Sequence, residues 1–399
     1  MIRMALLGFI LLANYAAAQL QTDEYWTDWP TIEIKKESKE TVTLNPDIQW
    51  RLDCGLDSGE LIGKIFSAAP GSDERIFLLD EQLTQVLIMS SDGKIEETFG
   101  QQGEGPGDLP GAYRLFELSD GRIGVCGGVE APTFLLGVPS KIVLLNQRFE
   151  PAGQWLCIGD RSAMVVATIR ELRCAGDHVM ISSTGAMFNE GIITQIQEIA
   201  VIDPQEGERM LISQRSIVED LSEGHIAERN IYNPYAYGRC DVSNTGRVAF
   251  APDRDRWQVV IRNSDGGGIV LKREWDPLKR TKDQKDKIRK DLGGYDGCVV
   301  LNNEPAIASV RWRPNGNLWV EPYGAEFRDG SLACFDEFSP AGEYLRRIKI
   351  SVLDWDSSYD LQVLEDGRFV VLRGFVDDSE DDDTSEQKGE VFLLKVKEN

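Results

Sequence analysis

Histidine is almost missing from this chain: His178 and His225 are the only two in 399 residues. A site built on imidazole therefore has few candidates. His178 falls at a turn and His225 in the acidic stretch 218–228, and neither has a sequence neighbour that marks it as a general base. Gly-x-Ser-x-Gly and His-Glu-x-x-His are both absent, so the common serine-hydrolase and zinc-protease arrangements lack their motifs. No Cys-x-x-Cys pair occurs among the seven cysteines, which removes zinc-ribbon and thioredoxin-type chemistry. The cysteines read as small buried apolar residues. Only Cys157 and Cys174 lie close enough to suggest a local bridge, which an oxidising compartment would permit.

Basic charge is also scarce. Lys and Arg number 43 against 66 Asp and Glu, a net charge of −23. Such a surface repels nucleic acid and anionic lipid. It leaves cations or basic partners open, although acidity also simply keeps an exported protein in solution. Long apolar runs are missing too. The longest near the start, Ala5 to Ala13, falls short of the roughly 20 residues that a bilayer crossing needs. With Arg3 before it and Ala16, Ala17 and Ala18 after it, the run has the layout of a secretory signal cut near Ala18. No cysteine near that cut could carry a lipid. The expectation is export to the periplasm or the cell exterior, with no membrane span.

What the chain does have is repetition. About 380 residues remain after the signal, more than a single core usually organises, so the chain must divide or repeat. Four segments are copies of one hairpin: Ser119-Asp120-Gly121-Arg122-Ile123, Asn244-Thr245-Gly246-Arg247-Val248, Pro314-Asn315-Gly316-Asn317-Leu318 and Glu365-Asp366-Gly367-Arg368-Phe369. Each sets a residue tolerant of positive φ, then Gly, between two apolar strands. Ser72-Asp73-Glu74-Arg75 and Ala175-Gly176-Asp177-His178 are degenerate copies. A second hairpin follows each, as at Ser91-Asp92-Gly93-Lys94 and Pro340-Ala341-Gly342-Glu343.

Two hairpins per unit give four antiparallel strands, one blade of a β-propeller, and there are six units. The expected fold is all-β: a six-bladed propeller over 41–399, with blades near 61–100, 110–158, 162–216, 228–276, 304–351 and 356–399, after an extension at 19–40. The apolar stretch 41–52 is expected to complete the last blade and close the ring, because a ring leaves no raw sheet edge at its seam. The charged segment 277–293 reads as an exposed helical insert. Its basic face suits either solvent or an acidic partner.

Within this pattern, Phe99-Gly100-Gln101-Gln102-Gly103-Glu104-Gly105-Pro106-Gly107-Asp108 resembles the Phe-Gly-x-x-Gly-x-Gly-Pro-Gly-Glu loop of bacterial six-bladed β-propeller proteins related to the NHL-repeat group. Asp108 stands where that loop usually has Glu. The resemblance implies the fold and hardly constrains function, because such propellers serve as binding platforms, structural modules and occasional enzymes. Read physically, the loop is too rich in Gly to form a strand or helix, and it carries the chain from the outer strand of one blade to the inner strand of the next. It lacks the Gly-Lys-Ser/Thr ending of a phosphate loop.

Propellers hold ligands at the mouth of the central channel. Tyr235, Tyr237 and Arg239 precede Cys240 in the fourth unit, and Arg311 and Arg313 flank Trp312 in the fifth. Aromatic and guanidinium groups near an axis suit an anionic or sugar-like ligand, but the same residues also suit packing between blades. No catalytic residue and no resident metal or cofactor is assigned. The acidic run 377–383 could collect Ca²⁺, although it lacks the Gly and the spaced Glu of a calcium loop. The expected function is an exported binding module for a protein, peptide or glycan. A metal-assisted lactonase, lyase or hydrolase and a purely structural module are the alternatives.

Overall fold

The computed structural model describes residues 26–35, 40–54, 62–101, 103, 108–109, 112–127, 141–146, 148–156, 166–189, 192–205, 207–220, 226–228, 235, 238–291, 298–324, 331–352, 359–375 and 389–396. Over these residues the chain is a ring of six antiparallel sheets, the six-bladed propeller that the repeats imply. The innermost strands, in blade order, are Ile65–Pro70, Ala112–Glu117, Val166–Ala175, Cys240–Val242, Ile307–Trp312 and Tyr359–Val363. Each blade then steps outward through three further strands. In blade one these are Ile76–Asp80, Gln85–Met89 and Ile95–Phe99.

Alternation places one face of every strand against each neighbouring blade. Six apolar clusters result, one at each junction. The cluster of Trp50, Ile65, Leu78, Leu87, Val370 and Val391 joins blade six back to blade one. Trp257, Leu318, Val320 and Phe338 fill the junction of blades four and five.

The N-terminal stretch seals the ring. Asp47–Asp53 pairs antiparallel with Glu390–Lys395 and becomes the outermost strand of blade six. Upstream of Pro46, Thr41–Leu44 runs parallel beside Tyr344–Ile350 of blade five. Thr31–Ile34 does the same beside Gly268–Arg273 of blade four. The stretch 41–52 is thus shared between two blades, because Pro46 lacks the N–H needed to continue one ladder. The loop after Phe99 leads from the outer strand of blade one to the inner strand of blade two, with Gly100 at φ +92°.

The hairpin turns correct one expectation. In the four clear copies only the glycine is left-handed: Gly121, Gly246, Gly316 and Gly367 have φ of 79°, 73°, 81° and 91°. Each glycine N–H donates three residues back, as from Gly316 to Arg313 O at 2.8 Å. These are type I turns completed by a left-handed glycine, so Asp, Thr or Asn before Gly needs no positive φ. Blade one differs, because Asp73 and Glu74 both have positive φ, 58° and 60°, with no glycine to absorb the strain.

A single helix, Lys282–Asp291, lies in the charged insert. Thr281 Oγ1 accepts from Gln284 N while Gln284 Oε1 accepts from Thr281 N, a reciprocal cap. Arg280 anchors its base, donating to Glu228 and Glu304. No helix of the described residues is long and apolar enough to cross a membrane. Cys174 is a free buried thiol, so the local bridge with Cys157 is not formed, and Cys157 itself lies outside the described residues. The Cys174 Sγ instead faces the carbonyls of Glu117 and Gly176.

Candidate functional site

Two cavities share the axis. The first is an open funnel of about 500 Å³ at the end where every inner strand turns back. All six blades contribute, through Ser72, Glu117, Gly176, Asn244, Arg313 and Asp366 among others. The second is a smaller, partly open chamber of about 190 Å³ between the inner strands. Glu365 lines both.

The funnel rim is rigid because each turn is tied to the next. Ser72 N and Oγ donate to Glu117, joining blades one and two. Ser119 Oγ donates to Asp177 across the next junction. The His178 ring lies against Gly246, where an added Cβ would fall 2.9 Å from Cε1. Arg247 covers the Trp312 ring at 4.9 Å. Arg313 Nη2 donates to Gly367 O at 3.0 Å, and Arg368 closes the circle on the carbonyls of Glu74 and Arg75. The repeated Asp-Gly-Arg has a physical basis here. Arg122 and Arg368 bond back to Asp120 and Asp366 of their own turns while reaching toward the neighbouring blade.

The chamber is built differently. Inner strands one, two and three carry a register shift between Ile65 and Ser67, Ala112 and Arg114, and Ile169 and Glu171. A bulge re-aims the residue after it, and Ser67, Arg114 and Glu171 all line the chamber. Arg173, Arg311, Asp360, Gln362 and Glu365 add further polar and charged groups. Glu171 is buried: its Oε1 lies 3.1 Å from Arg173 and 3.9 Å from Arg114, and its Oε2 accepts Gly238 N–H at 2.6 Å. Gly238 O in turn accepts from Arg311 Nη1 at 2.8 Å. Gly238 has φ +82°, and an added Cβ would fall 2.4 Å from Arg311 Nη2, so only glycine fits at this close approach.

These surroundings shift the charged groups. Burial alone would raise the Glu171 carboxyl, but Arg173, Arg114, Arg311 and the Gly238 N–H outweigh it and hold it below its usual value. Asp241, which accepts Trp312 N–H at 2.7 Å, is raised by burial despite Arg173 and Arg311. Arg311 is lowered, first by burial and then by the like charge of Arg173. Burial pushes Glu365 up to about 7 against the pull of Arg173, with Asp241 and Asp366 adding to the rise. Among the described residues, no three His, Cys, Asp or Glu side chains come together as a metal site.

The five sequence candidates part company here. Arg311 lines the chamber and Arg313 the funnel, where its guanidinium stacks 4.2 Å from Trp319 and 5.2 Å from Phe369. Tyr235 is 1% exposed between blades three and four, with its hydroxyl against Ser213 Oγ and its ring edge on Phe250. Arg239 is buried on Ile307 O, and neither it nor Tyr235 lines either of the two axial cavities. Tyr237, His225 and the acidic run 377–383 lie outside the described residues. Counted back from the hairpins, Asp241 rather than Arg239 holds the blade-four place of Arg311, since Val242 faces Val248 as Trp312 faces Leu318. Arg114, Glu171, Arg173, Asp241 and Glu365 were not anticipated. For all but Glu365, which sits in the blade-six turn, the signal in the sequence is charge inside an inner strand, clearest in Ile169-Arg170-Glu171-Leu172-Arg173.

Fold and axis together define a six-bladed β-propeller with a polar, charge-filled channel. No family model matches the chain, and no curated protein matches it. Among solved structures it is similar to a member of the duf4221 family from Bacteroides vulgatus, at 12% identity over 91% of this chain and 100% of that one, with a TM-score of 0.50. It is also similar to a candidate exported protein from Bacteroides fragilis, at 10% identity over 92% and 100%, with a TM-score of 0.49. A third is virginiamycin B lyase from Staphylococcus aureus, at 10% identity over 87% and 99%, with a TM-score of 0.39. At 12% identity the first likeness shows the shared fold alone.

Proposed function

We propose that this protein is an exported binding module that holds a segment of a peptide or glycan in its axial funnel. The observation that carries this reading is the convergence of six turns on one open cavity, with every turn tied to the next. A rim that is already ordered loses little entropy when a ligand settles on it. Ser72, Ser119 and Asn244 offer hydrogen-bonding groups, while Phe116 and Trp312 supply apolar surface of the kind that sugar rings and side chains pack against. The secretory layout of residues 1–18 supports the export that this reading includes.

The test is a panel of short oligosaccharides and tripeptides screened for protection of the protein against heat. Asn244 is an exposed turn residue on the funnel wall, so Asn244→Trp should fill the cavity without disturbing the core. The reading requires at least one panel member to raise Tm in the natural protein and not in the variant. Protection that survives Asn244→Trp, or no protection by any member, overturns it. N-terminal sequencing of the exported protein tests the cut near Ala18.

A further inference from the structure

Three guanidiniums, of Arg114, Arg173 and Arg311, line the chamber with three carboxyls, of Glu171, Asp360 and Glu365, and of these carboxyls only Glu171 is fully buried. One buried carboxylate, Glu171, faces the guanidiniums of Arg114, Arg173 and Arg311. Arg311 spends Nη1 on two backbone carbonyls, Gly238 O and Val310 O, neither of which carries charge. Arg173 Nε is buried without a hydrogen-bond acceptor among the described residues. A buried donor left unmet is costly, and two guanidiniums facing one another in a protein interior repel. Such an arrangement is relieved by an acceptor that brings negative charge.

We infer that the chamber is a site for a small oxyanion, a sulfate-, phosphate- or carboxylate-sized group, held among Arg114, Arg173 and Arg311 and taken up together with a proton at Glu365. The volume, about 190 Å³, is several times the roughly 30 Å³ that one water takes up in the liquid. Ser67, Gln362 and Gly238 stand among the guanidiniums, and Asp360, an exposed residue, adds a further carboxylate to the wall. Gln362 is itself fixed, accepting Ala68 N–H and donating to Phe66 O, so it forms a rigid part of the wall between blades six and one.

Glu365 is the one carboxyl shared with the funnel. It faces Arg173 from blade three, Asp241 from blade four and Asp366 of its own turn, and Asp366 is engaged by Arg368. The nearby Cys174 thiol stays protonated, because burial and the carboxylates of Glu365, Asp177 and Glu117 raise its pKa well above the usual value. With Glu365 titrating near neutrality, its ionised form opposes an incoming anion and its protonated form can donate to one.

Sulfate is the probe, because its charge is constant from pH 6 to pH 8. Calorimetric titration of the full chain at fixed ionic strength should show one saturable site at pH 6. Affinity should fall about tenfold by pH 8, as expected for one proton bound at a group titrating near 7. Arg114→Gln and Arg311→Gln should each weaken binding at least tenfold at pH 6. Circular dichroism and Tm identify any variant that fails to fold, and Arg311→Lys, which keeps the charge and loses the fork, serves as the second variant, with an intermediate affinity expected. Glu365→Gln should keep the pH 6 affinity and lose the pH dependence. No saturable sulfate binding at pH 6, or binding indifferent to folded Arg114→Gln and Arg311→Gln, overturns the anion site. Equal affinity at pH 6 and pH 8 overturns the proton uptake. Asn244→Trp should leave sulfate binding unchanged, so failure of the chamber and failure of the funnel are distinguishable.

Discussion

The funnel and the chamber lie on one axis and are stabilised in different ways. The funnel is made of turns whose shape is set by local glycines, with contacts between exposed or half-buried polar groups. The chamber is made of side chains from five blades, several re-aimed by bulges, whose charges gather around the buried Glu171. Each rim contact is worth little and replaceable, whereas each charge in the chamber depends on the others.

Substitutions can break or sharpen that contrast. The largest effect is expected for Glu171→Ala, which removes the buried carboxylate that Arg114, Arg173 and Arg311 share. Removing one partner of a buried ion pair costs on the order of 3–5 kcal/mol, and urea unfolding should show it. A loss below about 1 kcal/mol would place Glu171 with the rim contacts and dissolve the contrast.

Gly238→Ala comes next. The added Cβ falls among the Arg311 guanidinium atoms, and φ +82° disfavours any L side chain. A cost of about 2–3 kcal/mol is expected from strain and displaced charge together.

Glu365→Gln should act in the opposite direction and only in one pH range. The folded-state pKa of Glu365 is raised from 4.5 to about 7, so the folded protein holds its proton more tightly than the unfolded chain. Its ionisation therefore costs nothing below about pH 4.5, and the cost grows as pH rises and is complete above about pH 7. The amide should stabilise the protein by on the order of 1–3 kcal/mol at pH 8 and leave it unchanged at pH 4. A gain of equal size at both pH values would show that titration is not the cause.

The smallest effect belongs to the rim. Glu74 has φ 60° where the four clear copies have glycine, so Glu74→Gly should raise stability by up to about 1 kcal/mol, seen as a modest rise in Tm. A loss would mean that Glu74 makes a compensating contact.

The same contrast decides what could be read in the sequence. The turns were legible because each depends on residues adjacent in the chain, and Gly121, Gly246, Gly316 and Gly367 recur at one place in the repeat. Blade count and the closing strand follow from that rhythm. The chamber was not legible, because Arg114, Glu171, Arg311 and Glu365 meet only once the ring has closed, and a bulge shifts the alternation by which facing is read. For the same reason Tyr235 and Arg239, adjacent in sequence to the inner strand, belong to packing between blades, while Asp241, only one residue into the strand, lies at the axis. The parallel strand Thr31–Ile34 also escaped notice, since its pairing is with residues more than two hundred positions away.

The two cavities are assigned unlike roles, and the chamber's role is open to direct view. A crystal soaked in selenate at pH 6 and measured at the selenium edge should give one anomalous peak within hydrogen-bonding distance of the guanidiniums of Arg114, Arg173 and Arg311. A chamber without a peak under these conditions, or a peak on the funnel rim instead, would contradict it.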